Sequence, residues 1–105
     1  MVLFGAISSK EVDKFAKDLA EDLSKRYPPA LDTAGGQTLS EKRLTRILED
    51  VCTKAAAYRS EHKLGVYKKA RLGNTFRWEL EELGYSKKFI ETATEGLVVY
   101  LARRD

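Results

Sequence analysis

Cysteine and histidine are almost absent from this chain of 105 residues, which contains one of each, Cys52 and His62. A single thiol cannot close an internal disulfide bond, so a reducing, cytoplasmic location is expected. One cysteine and one histidine cannot supply the ligands of a zinc site. The two side chains are also ten positions apart on one predicted helix, about 15 Å along its axis, which is too far for a nucleophile and its base. The sequence therefore predicts no metal and no cofactor.

Long apolar runs and nucleotide-binding glycine patterns are also missing. The opening MVLFGAI is too short to cross a membrane and does not follow the pattern of a signal peptide. We expect residues 1–7 to form an apolar arm that packs against the helices. No lysine follows Gly35-Gly36 at the spacing of a phosphate-binding loop, and no GxGxxG pattern occurs. These absences argue against a membrane protein and against a nucleotide-binding enzyme.

Carboxylates are plentiful, but their placement does not suggest catalysis. Glu79 with Glu82 and Glu49 with Asp50 lie among lysines and arginines on predicted helix surfaces. General acid and base residues need different environments within a cleft, and no pattern in the chain indicates one. We therefore expect a protein that is not an enzyme.

What the chain does contain is the composition of one folded helical domain. Hydrophobic residues make up 43% of it and charged residues 33%, with only two prolines, which is typical of a globular chain. Apolar residues recur at three- and four-residue spacing, so we predict an all-α fold, a compact domain of four principal helices over residues 1–105. The short connections favour antiparallel neighbours.

Apolar periodicity and capping residues place the helices at about 9–26, 39–62, 66–83 and 86–102, with a loop at 28–37. Ser8 or Ser9 is expected to cap the first helix. A capping box from Thr38 to Glu41 is expected to begin the second helix. Gly65 suits the left-handed position that ends this helix.

The sequence leaves one alternative open for the third helix and one for the fourth. Gly73-Asn74 either lies inside a continuous helix over 66–83 or breaks it at 73–74. Gly84 is expected to end this helix and Ser86 to begin the last one. Val98 and Val99 lie outside the apolar stripe of the last helix, so either the other helices enclose it or its surplus apolar face forms a homodimer.

Positive charge and aromatic rings are interleaved over residues 54–78, where seven basic side chains accompany one acid, Glu61. The stretch carries about +6, whereas the whole chain carries +3. Such a mixture can hold phosphates and stack on flat groups. The binding candidates of this stretch are Lys63, Tyr67, Lys68, Lys69, Arg71 and Trp78.

A second candidate site lies at the start of the last helix. Ser86, Lys87 and Lys88 place a hydroxyl and two ammonium groups at a helix N-terminus. The helix dipole disfavours cations there, whereas an anion would be favoured by the free N–H groups. We therefore include these three residues as an anion-binding hypothesis.

Two functions remain open on the sequence alone. The first is a non-catalytic protein-interaction or regulatory module that binds a protein partner or a second copy through the face of Tyr67, Arg71 and Trp78, or through the last helix. The second is binding of RNA, DNA or another anion through the basic stretch together with Lys87 and Lys88. The second function must weaken steeply with salt, because each neutralised phosphate releases counterions.

Overall fold

The computed structural model describes residues 7–33 and 40–103 of the chain. These residues form five helices: α1 (Ser9–Arg26), α2 (Pro29–Thr33), α3 (Glu41–His62), α4 (Val66–Leu83) and α5 (Lys87–Ala102). The described residues contain no strand, so the all-α prediction is confirmed. The four long helices end within two residues of their predicted bounds. Of the apolar arm predicted at 1–7, only Ile7 lies within the described residues, and it is buried.

A capping box begins α1. The Ser8 hydroxyl accepts a hydrogen bond from the Glu11 backbone N–H at 3.2 Å, and the Glu11 carboxylate accepts one from the Ser8 backbone N–H at 3.1 Å. These bonds satisfy N–H groups that have no partner within the helix. The bonds that Ser8 donates stabilise the carboxylate and lower the pKa of Glu11 below its ordinary value. Of the two serines proposed as the cap, Ser8 therefore has that role.

A short helix, α2, occupies part of the segment where we expected a loop over 28–37. Pro29 stands at its first position, where the fixed φ of proline is already helical and its missing N–H is not needed. The Asp32 carboxylate accepts hydrogen bonds from the Ser86 backbone N–H at 2.7 Å and from the Tyr27 hydroxyl at 3.3 Å. These bonds hold α2 against the start of α5. The remainder of the predicted loop, 34–37, lies outside the described residues.

The start of α3 is two residues later than predicted. Its N-cap is Ser40, whose hydroxyl accepts a hydrogen bond from the Arg43 backbone N–H at 3.1 Å. The prediction that the helix begins with a box from Thr38 to Glu41 is therefore wrong, and Thr38 itself lies outside the described residues. Ser40 offers the same hydroxyl directly before the first helical residue, so it takes the role.

The left-handed residue that caps the end of α3 is Lys63 and not, as predicted, Gly65. Lys63 adopts the left-handed conformation, with φ 50° and ψ 54°. The backbone N–H of Leu64 then donates to the Arg59 carbonyl at 3.0 Å, and the Leu64 side chain is buried. A hydrophobic residue directly after a left-handed cap commonly packs against the helix it closes. The burial of Leu64 therefore places the left-handed residue before it, and Gly65 becomes the extended N-cap of α4.

Replacing Lys63 by glycine is expected to raise the free energy of unfolding by about 1 kcal/mol. A side chain in the left-handed region costs about that much, and glycine avoids the cost. The midpoint of a urea unfolding curve, at unchanged slope, measures the change. Lys68→Gly in α4 is the matched control and should lose about 1 kcal/mol, because it places glycine inside a helix. An equal loss in both variants would contradict the prediction.

The third predicted helix is continuous, since α4 passes through Gly73 without a break. Gly73 is buried, and a Cβ built on it would come within 3.4 Å of the Val98 side chain of α5. Glycine at this position lets α5 approach α4 closely. The packing gained there offsets the low helix propensity of glycine.

The four long helices form a bundle in which α1 lies beside α4 and α3 beside α5. Asp13 contacts Arg71 near the starts of α1 and α4, and the ring of Tyr27 lies 6.1 Å from that of Tyr85 just beyond their ends. α1 and α4 therefore run in the same direction. The prediction of antiparallel neighbours holds where α4 turns back into α5 and where α1 packs on α3.

The core is one continuous cluster that includes Leu23, Leu72, Phe76, Leu80 and Leu97. It does not enclose α5 completely. Val98 is 49% exposed and Val99 is 54% exposed. The alternative in which the other helices surround the last helix on all sides is therefore wrong for the chain by itself.

Candidate functional site

Arg71, a predicted contact residue, is held by an acid of α1. Its guanidinium donates to both carboxylate oxygens of Asp13, at 2.9 and 2.8 Å, and to the Tyr67 hydroxyl at 3.0 Å. The Thr75 hydroxyl donates to Asp13 at 3.0 Å. The hydrogen bonds from Arg71 lower the pKa of Asp13, and the bonds to Asp13 raise the pKa of Arg71. Arg71 thus ties α4 to α1, and its charge is already matched within the chain.

The exposed side of α4 carries large side chains at helical spacing. Val66 is 84% exposed, Tyr67 65% and Trp78 54%. At 100° per residue, Tyr67, Asn74 and Trp78 fall within about 40° of one another. We call the surface formed by Val66, Tyr67, Ala70, Asn74 and Trp78 the aromatic face. The structure therefore brings Tyr67 and Trp78 to one surface and leaves both accessible.

One end of the aromatic face is tied to the rest of the fold by hydrogen bonds. Tyr67 is held by its bond to Arg71, which is fixed in turn by Asp13. Beside the Trp78 ring lies a shallow groove whose other lining residues are polar: Asn74, Thr75, Arg77 and Glu81. One basic and one acidic side chain give this part of the face no net charge. The surface therefore has the chemistry of a protein contact more than that of a phosphate site.

The basic residues of the 54–78 stretch do not form one surface. Arg59 is buried, and its guanidinium donates to the carbonyls of Tyr100 at 2.8 Å and Arg103 at 2.6 Å. Lys63 and Lys69 line an open groove with Arg103 at that end of the bundle. Lys68 lies closer to α1, where its charge contributes to lowering the pKa of Glu11. The basic side chains of the stretch therefore lie on different surfaces, and Arg59 is bound to acceptors within the chain.

The start of α5 is already served by an internal anion. The hydroxyl of Ser86 accepts from the Phe89 backbone N–H at 3.2 Å, and the Ser86 backbone N–H donates to Asp32 at 2.7 Å. Lys87 and Lys88 are exposed. The carboxylate that this helix start favours is therefore supplied by α2, which the sequence alone did not place there.

A second cluster of cations lies outside the residues predicted from the sequence to bind a ligand. The end of α1 and the start of α3 enclose an open groove of about 710 Å³. Ser40 and Ile47 line it, and its remaining lining residues are all basic: Lys25, Arg26, Lys42, Arg43 and Arg46. We call this the basic groove. The spacing of Lys42, Arg43 and Arg46 on one helix face was visible in the sequence, but the contribution from α1 depends on the tertiary fold.

Cys52 and His62 lie ten positions apart on α3 and do not form a nucleophile and base pair. Cys52 is buried in the core, and this burial raises the pKa of its thiol to about 11. Such a thiol is a poor nucleophile at neutral pH. His62 instead packs at 4.5 Å, centroid to centroid, against the Tyr58 ring. In the described ranges, 7–33 and 40–103, no three or more His, Cys, Asp or Glu side chains are grouped to hold a metal ion.

Among the same residues no helix is both long and apolar enough to cross a bilayer. No protein-family model matches the chain, and neither a curated protein nor a solved structure is similar to it.

Proposed function

We propose that the protein is a non-catalytic protein-interaction module and that the aromatic face of α4 is its docking surface. The observation that carries the proposal is the exposure of the single tryptophan, Trp78, at 54%. Tryptophan and tyrosine dominate the binding energy of protein interfaces, because a large rigid ring gains much contact area and loses little entropy. An exposed ring pair on a fixed helix is the surface that such a contact needs.

The occupant that fits the face is a second copy of the same chain. A two-fold axis through Asn74 would pair two α4 helices in antiparallel fashion. Ala70 would then face Trp78 of the other copy, so a small side chain leaves room for a large ring. Tyr67 would face Glu81, and its hydroxyl, which already accepts from Arg71, has a proton to donate. The face is therefore complementary to itself in size and in polarity.

The expected association is weak, because one helix face buries an area at the low end of specific interfaces. We expect a dimer whose Kd lies between about 1 μM and 1 mM. Sedimentation equilibrium across that range measures the mass. Dilution should shift Trp78 emission to the red, because the ring returns to water when the copies separate.

Trp78→Ala is expected to raise the dimer Kd by at least about tenfold, the loss typical of a central aromatic contact. Val99→Ala is the matched control, since it also removes a half-exposed apolar side chain, but from the outer face of α5. Its Kd should change less than about twofold. A chain that stays monomeric at about 1 mM, or a dimer lost in Val99→Ala and kept in Trp78→Ala, would overturn the proposal.

A further inference from the structure

Most of the charge of the basic groove is not matched by a nearby acid. Of its five cations, Arg26 donates to Asp50 at 2.8 Å. None of the described residues that line the groove is acidic. Lys25, Lys42, Arg43 and Arg46 are exposed. The dipole of α1 favours Lys25 and Arg26 in its last turn, whereas Lys42 and Arg43 lie in the first turn of α3, where the dipole disfavours cations. Folding alone therefore does not explain the cations that α3 adds to this concavity.

The chemistry of the lining selects the kind of anion. Three of the five cations are arginines, whose guanidinium groups match phosphate oxygens with paired hydrogen bonds. Among the described lining residues the one apolar side chain is Ile47, which is 5% exposed, so these residues offer no side chain to insert into a bilayer. None of these described residues is aromatic either, so they offer single-stranded bases no stacking platform.

From these features we infer that the basic groove binds the phosphate backbone of a nucleic-acid duplex, without reading its sequence. Backbone contacts position a protein on a duplex, whereas base contacts are needed to specify sequence. A duplex also presents more phosphates per unit length than a single strand, which suits a compact cluster of cations. The groove lies at the junction of α1 and α3 and shares no residue with the aromatic face, so a dimer and a duplex can be bound together or separately.

The test is fluorescence anisotropy of a labelled DNA duplex of about 20 base pairs, titrated with the full chain at several salt concentrations. If four phosphates are neutralised, their counterions are released, and the slope of log K against log salt should be about −3 to −4. Affinity should then fall about 100-fold between 50 and 200 mM salt. A labelled single strand of equal length should bind more weakly, and unlabelled poly-glutamate should not displace the labelled duplex.

The variant Lys42→Glu, Arg43→Glu, Arg46→Glu is expected to weaken duplex binding at least about 100-fold and to flatten the salt slope. Its residues are exposed, and circular dichroism should report an unchanged helix content. The matched control is Lys63→Glu, Lys68→Glu, Lys69→Glu, which changes the net charge by the same amount at the other end of α3. We expect it to weaken binding less than about tenfold, through long-range repulsion alone.

Three results would overturn the inference. They are the absence of duplex binding by the natural chain at low salt, equal losses in the two triple variants, and competition by poly-glutamate as strong as that by unlabelled duplex. The last of these would identify the groove as a site for an acidic protein. Trp78→Ala should leave duplex binding within about twofold, so this test and the dimer test can fail independently.

Discussion

Replacing Arg59 by alanine is expected to lower the free energy of unfolding by about 3 kcal/mol. Arg59 is a charged residue in the core, 7% exposed. Its Nη1 donates to the carbonyls of Tyr100, Leu101 and Arg103 at 2.8, 3.3 and 2.6 Å. These carbonyls end α5, where the helix itself provides no donors and the dipole is negative. The guanidinium therefore caps α5 from α3. Its loss takes this donor from the Leu101 and Arg103 carbonyls, while the Tyr100 carbonyl still accepts from the Arg103 backbone N–H at 3.3 Å.

Arg59→Met separates the cap from the packing. Methionine keeps most of the side-chain volume but donates no hydrogen bond, so we expect a loss of about 2 to 3 kcal/mol. Arg43→Met is the control, because Arg43 is an exposed arginine of the same helix. It should change stability by less than about 0.5 kcal/mol. Urea unfolding of the three variants measures their free energies of unfolding. If Arg59→Met loses no more stability than Arg43→Met, the hydrogen bonds of Arg59 contribute nothing net.

Arg59 also illustrates why the basic stretch was a poor guide to the binding surface. In the sequence it is one cation among seven over residues 54–78. In the fold it caps α5, while Arg71 pairs with Asp13 from α1. Both partners are more than 40 positions away along the chain. Charge density along a sequence therefore overstated what remains free for a ligand, because internal acceptors cannot be located before the topology is known.

The positions of the helices were predictable because they depend on local patterns. Apolar residues at three- and four-residue spacing defined all four long helices, and Gly84 and Ser86 were identified as caps from their own properties. The predictions that failed at helix ends involved competition between neighbours. Lys63 adopts a conformation better suited to Gly65 because Leu64 must reach the core. The conformational preference of one residue does not show whether its neighbour must be buried in the core.

The candidate site was predictable only in part, for a related reason. Tyr67 and Trp78 lie on one helix, so their spacing alone placed them together, and both are exposed. The basic groove combines Lys25 and Arg26 with residues of α3. No periodicity connects those two segments. A surface built from one element can thus be predicted from sequence, whereas a surface shared by two elements requires the fold.

Raising the pH above about 10 is expected to destabilise the protein steeply, because two buried tyrosines keep their protons in the folded state. Tyr85 is 6% exposed and Tyr27 is 8% exposed. The Tyr85 hydroxyl donates to the Tyr27 carbonyl, and the Tyr27 hydroxyl donates to Asp32. Burial raises the pKa of both tyrosines above the ordinary value, and the charge of Asp32 adds to the effect on each.

Stability falls at high pH because the unfolded chain loses its tyrosine protons first. In the unfolded chain tyrosine ionises near pH 10, whereas in the folded chain these two side chains remain protonated to higher pH. Above pH 10 the unfolded state therefore binds fewer protons than the folded state, and stability falls as pH rises. Once a tyrosine is ionised in the unfolded chain and protonated in the folded chain, it lowers stability by about 1.4 kcal/mol per pH unit, and both tyrosines act in this direction. Below pH 10 this stabilisation is fully present.

Tyr85→Phe tests whether Tyr85 causes this loss of stability. The variant should be less stable than the natural chain at neutral pH, and its stability should fall less steeply above pH 10. At pH 7 the variant should be less stable by about 1 to 2 kcal/mol, since the buried Tyr27 carbonyl loses its donor. Above pH 10 its stability should fall less steeply, by about 1.4 kcal/mol per unit. The curves of the variant and the natural chain should therefore converge near pH 11, as measured by urea unfolding across the range. Parallel curves would show that Tyr85 ionises equally easily in both states, and tyrosinate absorbance near 295 nm would then appear before unfolding.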